Sequence, residues 1–122
     1  EYDKKIETGI VISANKSIRK RIDSKGKKFG ILLLDKKISL VAYRILSKHT
    51  DLTYLIIVNT YNPDELKMSI RSLKSSNFDC RQIKGFEGHA NASGYKVKDF
   101  KAIKRLSYAL WTGKLKYLDY KE

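Results

Sequence analysis

Apolar residues along this chain fall into separate runs whose spacing alternates between helical and strand-like. Over 1–24, Ile6, Ile10, Ile18 and Ile22 recur at helical offsets among Lys and Arg. They predict a basic amphipathic lead-in helix, weakened in its first half by Gly9. Asp23-Ser24-Lys25-Gly26-Lys27-Lys28 has turn chemistry, and Phe29 to Leu34 is a short continuous apolar run, the pattern of a buried strand. From Ile38 to His49 the apolar positions Leu40, Val41, Ile45 and Leu46 form one stripe, which predicts a helix. Leu52 to Val58 is too short and too β-branched for a helix and ends among the turn formers Asn59, Asn62 and Pro63, so it reads as a second buried strand.

The next runs are less regular. Leu66 to Ser72 alternates apolar and polar residues, predicting a strand that buries one face and turns Lys67, Ser69 and Arg71 away from the core. A polar turn over Lys74 to Asn77 and a helical turn around Asp79 to Ile83 lead into Gly85-Phe86-Glu87-Gly88-His89-Ala90-Asn91-Ala92-Ser93-Gly94, read as a loop. Tyr95 to Val97 would be a short strand, and Phe100, Ile103, Leu106, Leu110 and Trp111 mark a terminal helix. The sum is a single α/β domain, a mixed β-sheet flanked by helices, over 29–122, preceded by a basic lead-in or linker helix over 1–28.

Composition sharpens this picture. With 122 residues, one core is expected, and a hydrophobic fraction of 42% with a single proline argues for a folded chain. The chain holds 26 Lys plus Arg against 13 Asp plus Glu, a formal charge of +13, which points to an anionic partner such as nucleic acid or a nucleotide. A lysine-rich composition that merely fills solvated faces is the plainer explanation. No run is long enough to span a bilayer and no secretory signal pattern is present, so a cytoplasmic setting without a membrane partner is expected. The lone cysteine, Cys80, is read as a packing residue. The chain starts on Glu1 and not on Met, which suggests a piece of something longer.

The stretch Gly88 to Gly94 is small at every position except His89 and Asn91, so its backbone can approach a bound group or a packed neighbour closely. If Ala90-Asn91-Ala92 opens a helix, its free amides and those of the glycines before it would suit phosphate oxygens, with His89 donating from the lip. A tight turn beneath a helix would have the same composition. Arg71 could clamp a phosphate through its guanidinium fork, or it could simply be solvated. Tyr61, Tyr95 and Tyr108 could stack on bases or edge the core. Nothing suggests catalysis within the chain: His49 and His89 are distant in sequence, the acids are scattered, and Ser93 lacks the preceding glycine of a nucleophile elbow.

Gly88-His89-Ala90-Asn91-Ala92-Ser93-Gly94 resembles the glycine-histidine signature of the DHH-associated domain, first subfamily. Ser69-Ile70-Arg71-Ser72 followed by Asp79 is similar to that family's arginine-bearing strand. The resemblance covers roughly Phe29 to Tyr95. It implies the C-terminal, substrate-binding domain of a DHH-family phosphoesterase, such as a RecJ-type exonuclease, an oligoribonuclease (nano-RNase) or a cyclic-dinucleotide phosphodiesterase. The catalytic DHH domain and its divalent metal, manganese or magnesium, would then lie elsewhere in the parent chain, with no cofactor in this one.

By that likeness Arg71, Gly88 and His89 bind the substrate phosphate, Ser72, Ala92, Ser93 and Gly94 support them, and no residue here is catalytic or metal-binding. The ligand would be single-stranded nucleic acid, a short oligonucleotide or a nucleotide phosphate. One departure stands out: related domains carry glycines directly before the histidine, whereas Phe86 and Glu87 separate Gly85 from Gly88 here. Two other classes fit the charge: a stand-alone nucleic-acid-binding module resembling the C-terminal domain of alanyl-tRNA synthetases, and an assembly domain meeting an acidic protein.

Overall fold

The computed structural model describes Gly9 and residues 17–35, 41–62, 64–96 and 99–122. Six strands form one mixed sheet: β1 (Arg19–Ile22), β2 (Lys28–Leu34), β3 (Tyr54–Asn59), β4 (Lys67–Arg71), β5 (Phe86–His89) and β6 (Ala92–Tyr95), in the spatial order β1-β2-β3-β4-β6-β5. Only β2 and β3 run parallel, joined through helix α1 (Val41–Lys48). The terminal helix α2 (Phe100–Thr112) follows β6. The α/β class with a mixed sheet is as the sequence patterns predict.

The two helices lie on opposite faces of the sheet. On the first face, Leu32, Leu55 and Ile57 meet Val41, Ile45 and Leu46 of α1. On the second, Phe29, Ile31, Tyr54, Ile56, Met68, Ile70 and Phe86 pack with Leu110 of α2 and with Phe78, Cys80 and Ile83 from the connection between β4 and β5, which holds two short 3-10 turns. β2 and β3 are buried on both sides, which explains their unbroken apolar runs. β4 is buried on one side, which explains its alternation. Asp99 caps α2 by accepting hydrogen bonds from the amides of Lys101 and Ala102, and Gly113 closes it in the left-handed conformation that glycine adopts without strain.

Two local expectations are corrected. Gly9 and Ser17 are helical, but most of the expected lead-in helix lies outside the described residues, and Arg19–Ile22 is strand. The edge position explains it: Arg19 and Arg21 project together onto the α2 face, where Arg21 donates to the carbonyls of Leu110 and Trp111 and Arg19 donates to that of Trp111 at 2.5 Å. Strand periodicity brings both guanidiniums to the negative end of the helix dipole, which helical periodicity would not. The stretch read as a loop is a hairpin, β5 and β6 joined by Ala90-Asn91, and its second strand begins at Ala92, earlier than Tyr95.

Asp23, in the turn after β1, is buried with its carboxylate fully engaged. It accepts from the hydroxyls of Tyr54 at 2.7 Å and Tyr120 at 2.6 Å and from the amides of Lys25 and Lys27, each at 2.9 Å. Burial alone would push its pKa up, but the two hydroxyls and two amides outweigh burial and hold it below the ordinary carboxylate value. Tyr54 is in turn stacked between Phe29 at 5.0 Å and Phe78 at 4.5 Å.

Removing this carboxylate strands several donors, so Asp23→Ala is expected to cost about 3 kcal/mol in denaturant unfolding at neutral pH. Because the folded-state pKa lies below the unfolded one, the contribution is complete above about pH 4 and is lost as pH falls through the folded-state value. The difference between wild type and Asp23→Asn should therefore shrink below about pH 4 in an acid titration of stability.

Candidate functional site

Among the described residues, α1 covers only the β2 and β3 half of its face. The β4-β6-β5 half carries Lys67, Ser69 and Arg71 from β4, Ala92 and Gly94 from β6, and Glu87 and His89 from β5. Pairing sets them in rows, Arg71 opposite Ala92 opposite His89, and Ser69 opposite Gly94 opposite Glu87. Residues directly opposite in an antiparallel pair share a face, so guanidinium and imidazole rise from the same surface with only a methyl group between them. Their strands are two spacings apart, about 10 Å. A side chain built at Gly94 would meet nothing within 4 Å, so the shelf floored by Ala92 and Gly94 is open.

Arg71 is half-buried and leans toward β6, donating from Nη1 to the carbonyls of Ile70 at 3.1 Å and Ser93 at 3.4 Å. His89 is exposed on the outermost strand. The charge pattern is mixed: Lys67 and Arg71 line one side, and Glu87, two residues before His89 on the same strand, faces them across Gly94. The shelf therefore suits a group that is anionic at the Arg71–His89 end and offers a donor toward Glu87.

The sequence-derived site residues separate into two groups. Arg71, His89, Ala92 and Gly94 share the open face. Gly88 and Ser93 form the row between them and turn to the other face, while Ser72 is fully buried. The hydroxyl of Ser93 donates to the carbonyl of His89 at 2.7 Å. Ser72 donates to the carbonyl of Phe78 at 2.8 Å and accepts from the side-chain amide of Asn91 at 3.0 Å and the thiol of Cys80 at 3.3 Å. These two serines hold the hairpin.

Gly88 has φ of 140°, and a Cβ there would sit 3.0 Å from the carbonyl oxygen of Ala92, so the strand geometry alone requires glycine. The expectation that Ala90-Asn91-Ala92 opens a helix is corrected: Ala90-Asn91 is a turn between strands, fixed by backbone bonds from Cys80 to Ala90 at 2.7 Å and from Ser72 to Asn91 at 3.1 Å. Phe86 does not obstruct the shelf, because it is buried on the α2 face, edge-on to Tyr95 at 5.2 Å. Glu87, by contrast, stands on the shelf.

Among the described residues, no three His, Cys, Asp or Glu side chains come together as a metal ion would require, and no helix is long and apolar enough to cross a membrane.

No protein-family model matches the chain, and no curated protein does. Solved structures do. An uncharacterized protein from Helicobacter pylori G27 superposes with a TM-score of 0.53 at 20% identity, covering 92% of this chain and 34% of its own. An exopolyphosphatase-related protein from Bacteroides fragilis superposes with a TM-score of 0.51 at 14% identity, covering 95% of this chain and 36% of its own. The chain thus spans about a third of the length of these solved chains, and at such identities the likeness establishes a shared fold.

The two glycines should separate in experiment. Gly88→Ala forces a side chain into a left-handed conformation against backbone and is expected to cost about 1–3 kcal/mol. Gly94→Ala, in open space, should change thermal stability by less than about 1 kcal/mol.

Proposed function

We propose that this chain is the phosphate-gripping domain of a DHH-type phosphoesterase acting on nucleic-acid ends, short oligonucleotides or related phosphate esters. The observation that carries the reading is the Arg71–Ala92–His89 row on a half-sheet that no described element covers. Arginine offers paired donors whose charge does not depend on pH, histidine adds a donor from the opposite side, and the small residues between them let a phosphate descend to the sheet. The glycine-histidine and arginine-strand motifs fall on these strands. A distant fold neighbour bears the name exopolyphosphatase-related, which is in keeping with a phosphoester ligand.

In this reading the domain holds the substrate's phosphate while a catalytic partner domain supplies the divalent metal, manganese or magnesium, and the hydrolytic water. This chain's own task is binding and orientation. Arg71 fixes the phosphate oxygens, His89 closes the far side, and Ser72, Ser93 and Gly88 act indirectly by holding the hairpin. Glu87 discriminates among ligands: it repels a second phosphate in the adjacent row and accepts a hydrogen bond from a sugar hydroxyl or base amine.

Titration of a short single-stranded oligonucleotide by fluorescence anisotropy provides the test. Arg71→Ala combined with His89→Ala should weaken binding by at least about tenfold, the loss of one charge-assisted contact or more. Equal affinity for wild type and double variant would refute the site. Binding should weaken steeply with added salt, since counterion release supplies much of the free energy. Glu87→Gln is expected to tighten the oligonucleotide at low salt, and unchanged affinity would remove its proposed role.

A further inference from the structure

On the opposite face, where α2 crosses the ends of β2 and β3, lies a cleft of about 560 Å³. That volume is within the range of small-molecule sites, about 300–1,000 Å³. Leu33, Val58 and Leu66 form its sheet side, and Tyr108 and Trp111 form its helix side. Its rim carries Lys104, Arg105 and Lys114 and, among the described residues, no acidic one. Ser107 lies along its wall, a buried residue whose hydroxyl has no hydrogen-bond partner among the described residues. A helical serine ordinarily bonds back to the preceding turn, so a buried hydroxyl left without a partner is a cost that a polar ligand atom would relieve.

We propose that this cleft is a nucleotide site, in which a nucleobase packs against Tyr108 and Trp111, its polar edge meets the Ser107 hydroxyl, and its phosphate lies on Lys104, Arg105 and Lys114. Three features select this ligand. Apolar walls with aromatic side chains suit a flat ring, the basic rim suits an attached anion, and the unpaired Ser107 hydroxyl favours a polar atom beside it, which an acyl chain would not offer. Tyr108 is 65% exposed, and a stacked base would cover it. Arg19 lies 3.9 Å from the centre of the Trp111 ring, which fixes the ring's position.

The site is independent of the Arg71–His89 shelf. The cleft follows the Leu33–Val58 row at one end of the sheet, whereas Arg71 pairs with Leu55 near the other end and projects from the opposite face.

Trp111 is the chain's one tryptophan, so its emission reports the cleft directly. Adenosine monophosphate added to the full chain should quench it saturably and raise the melting temperature. Adenosine alone and inorganic phosphate alone should each bind at least about tenfold more weakly. Tyr108→Ala should weaken the nucleotide by at least about fivefold, as loss of a stacking platform does. Ser107→Ala should raise the melting temperature of the free protein, because an unpaired hydroxyl is removed, and should also weaken nucleotide binding.

Arg71→Ala should leave the quenching unchanged, so failure of the shelf and failure of the cleft give different results. No saturable quenching, an equal response to inorganic phosphate, or quenching that Tyr108→Ala and Ser107→Ala leave intact would each overturn the assignment.

Discussion

A buried carboxylate holds this domain closed. Asp23 joins the β1–β2 turn, the central strand β3 through Tyr54 and the C-terminal strap through Tyr120, segments separated by as many as 97 residues in sequence. An ionised carboxylate out of water costs several kcal/mol unless its lone pairs are met, and two tyrosine hydroxyls and two turn amides meet them. The tyrosines are held firmly in turn. Donating to Asp23 raises the pKa of both above the ordinary phenol value, with burial the larger cause, and Lys25 sits 4.2 Å from the centre of the Tyr120 ring. The strap that follows α2 is thereby fixed against the sheet.

The same aromatic column reaches the candidate site through contacts that can be followed atom by atom. Tyr54 stacks on Phe78, the carbonyl of Phe78 accepts from Ser72, and Ser72 accepts from Asn91 in the hairpin turn. His89 and Ala92 are the residues flanking that turn, so the height of the imidazole above the sheet depends on a serine and an asparagine that no ligand need touch. Side chains placed on an edge hairpin would otherwise be loosely held, because an edge strand has hydrogen-bonding neighbours on one side only. The 3-10 turns and the buried thiol of Cys80 fill the space that keeps this hairpin against its neighbours.

Much of this was legible in the sequence because burial imposes period. The unbroken runs of β2 and β3 and the alternation of β4 gave their burial directly, and the same period of two turned Arg71 toward the open face. The hairpin was not legible, since Gly88, Ala92, Ser93 and Gly94 offer no alternation of apolar and polar residues and Ala90-Asn91 is not one of the common two-residue hairpin turns. Strand β1 was hidden because its pairing with helix-end carbonyls is tertiary, and its Arg-Lys-Arg-Ile reads equally well as the end of a basic helix. The Asp23 cluster was hidden because no local pattern relates Asp23 to Tyr120.

The two uncovered surfaces differ in a way that follows from what covers the rest. Among the described residues α1 shields the parallel pair alone, and the half-sheet beside it carries Lys67, Ser69, Arg71, Glu87 and His89 over a floor of Ala92 and Gly94. A surface of that kind recognises charge and hydrogen-bond geometry, since it has little apolar area to exchange with a ligand. α2 is thirteen residues long and buries Ile103, Ser107 and Leu110, yet it stands off from Leu33 and Val58 far enough to leave an apolar cleft beneath Tyr108 and Trp111. That surface offers apolar area and aromatic side chains with Lys104, Arg105 and Lys114 at its edge, so the two faces differ in the forces available to them: charge and hydrogen-bond geometry on one, burial of apolar area on the other.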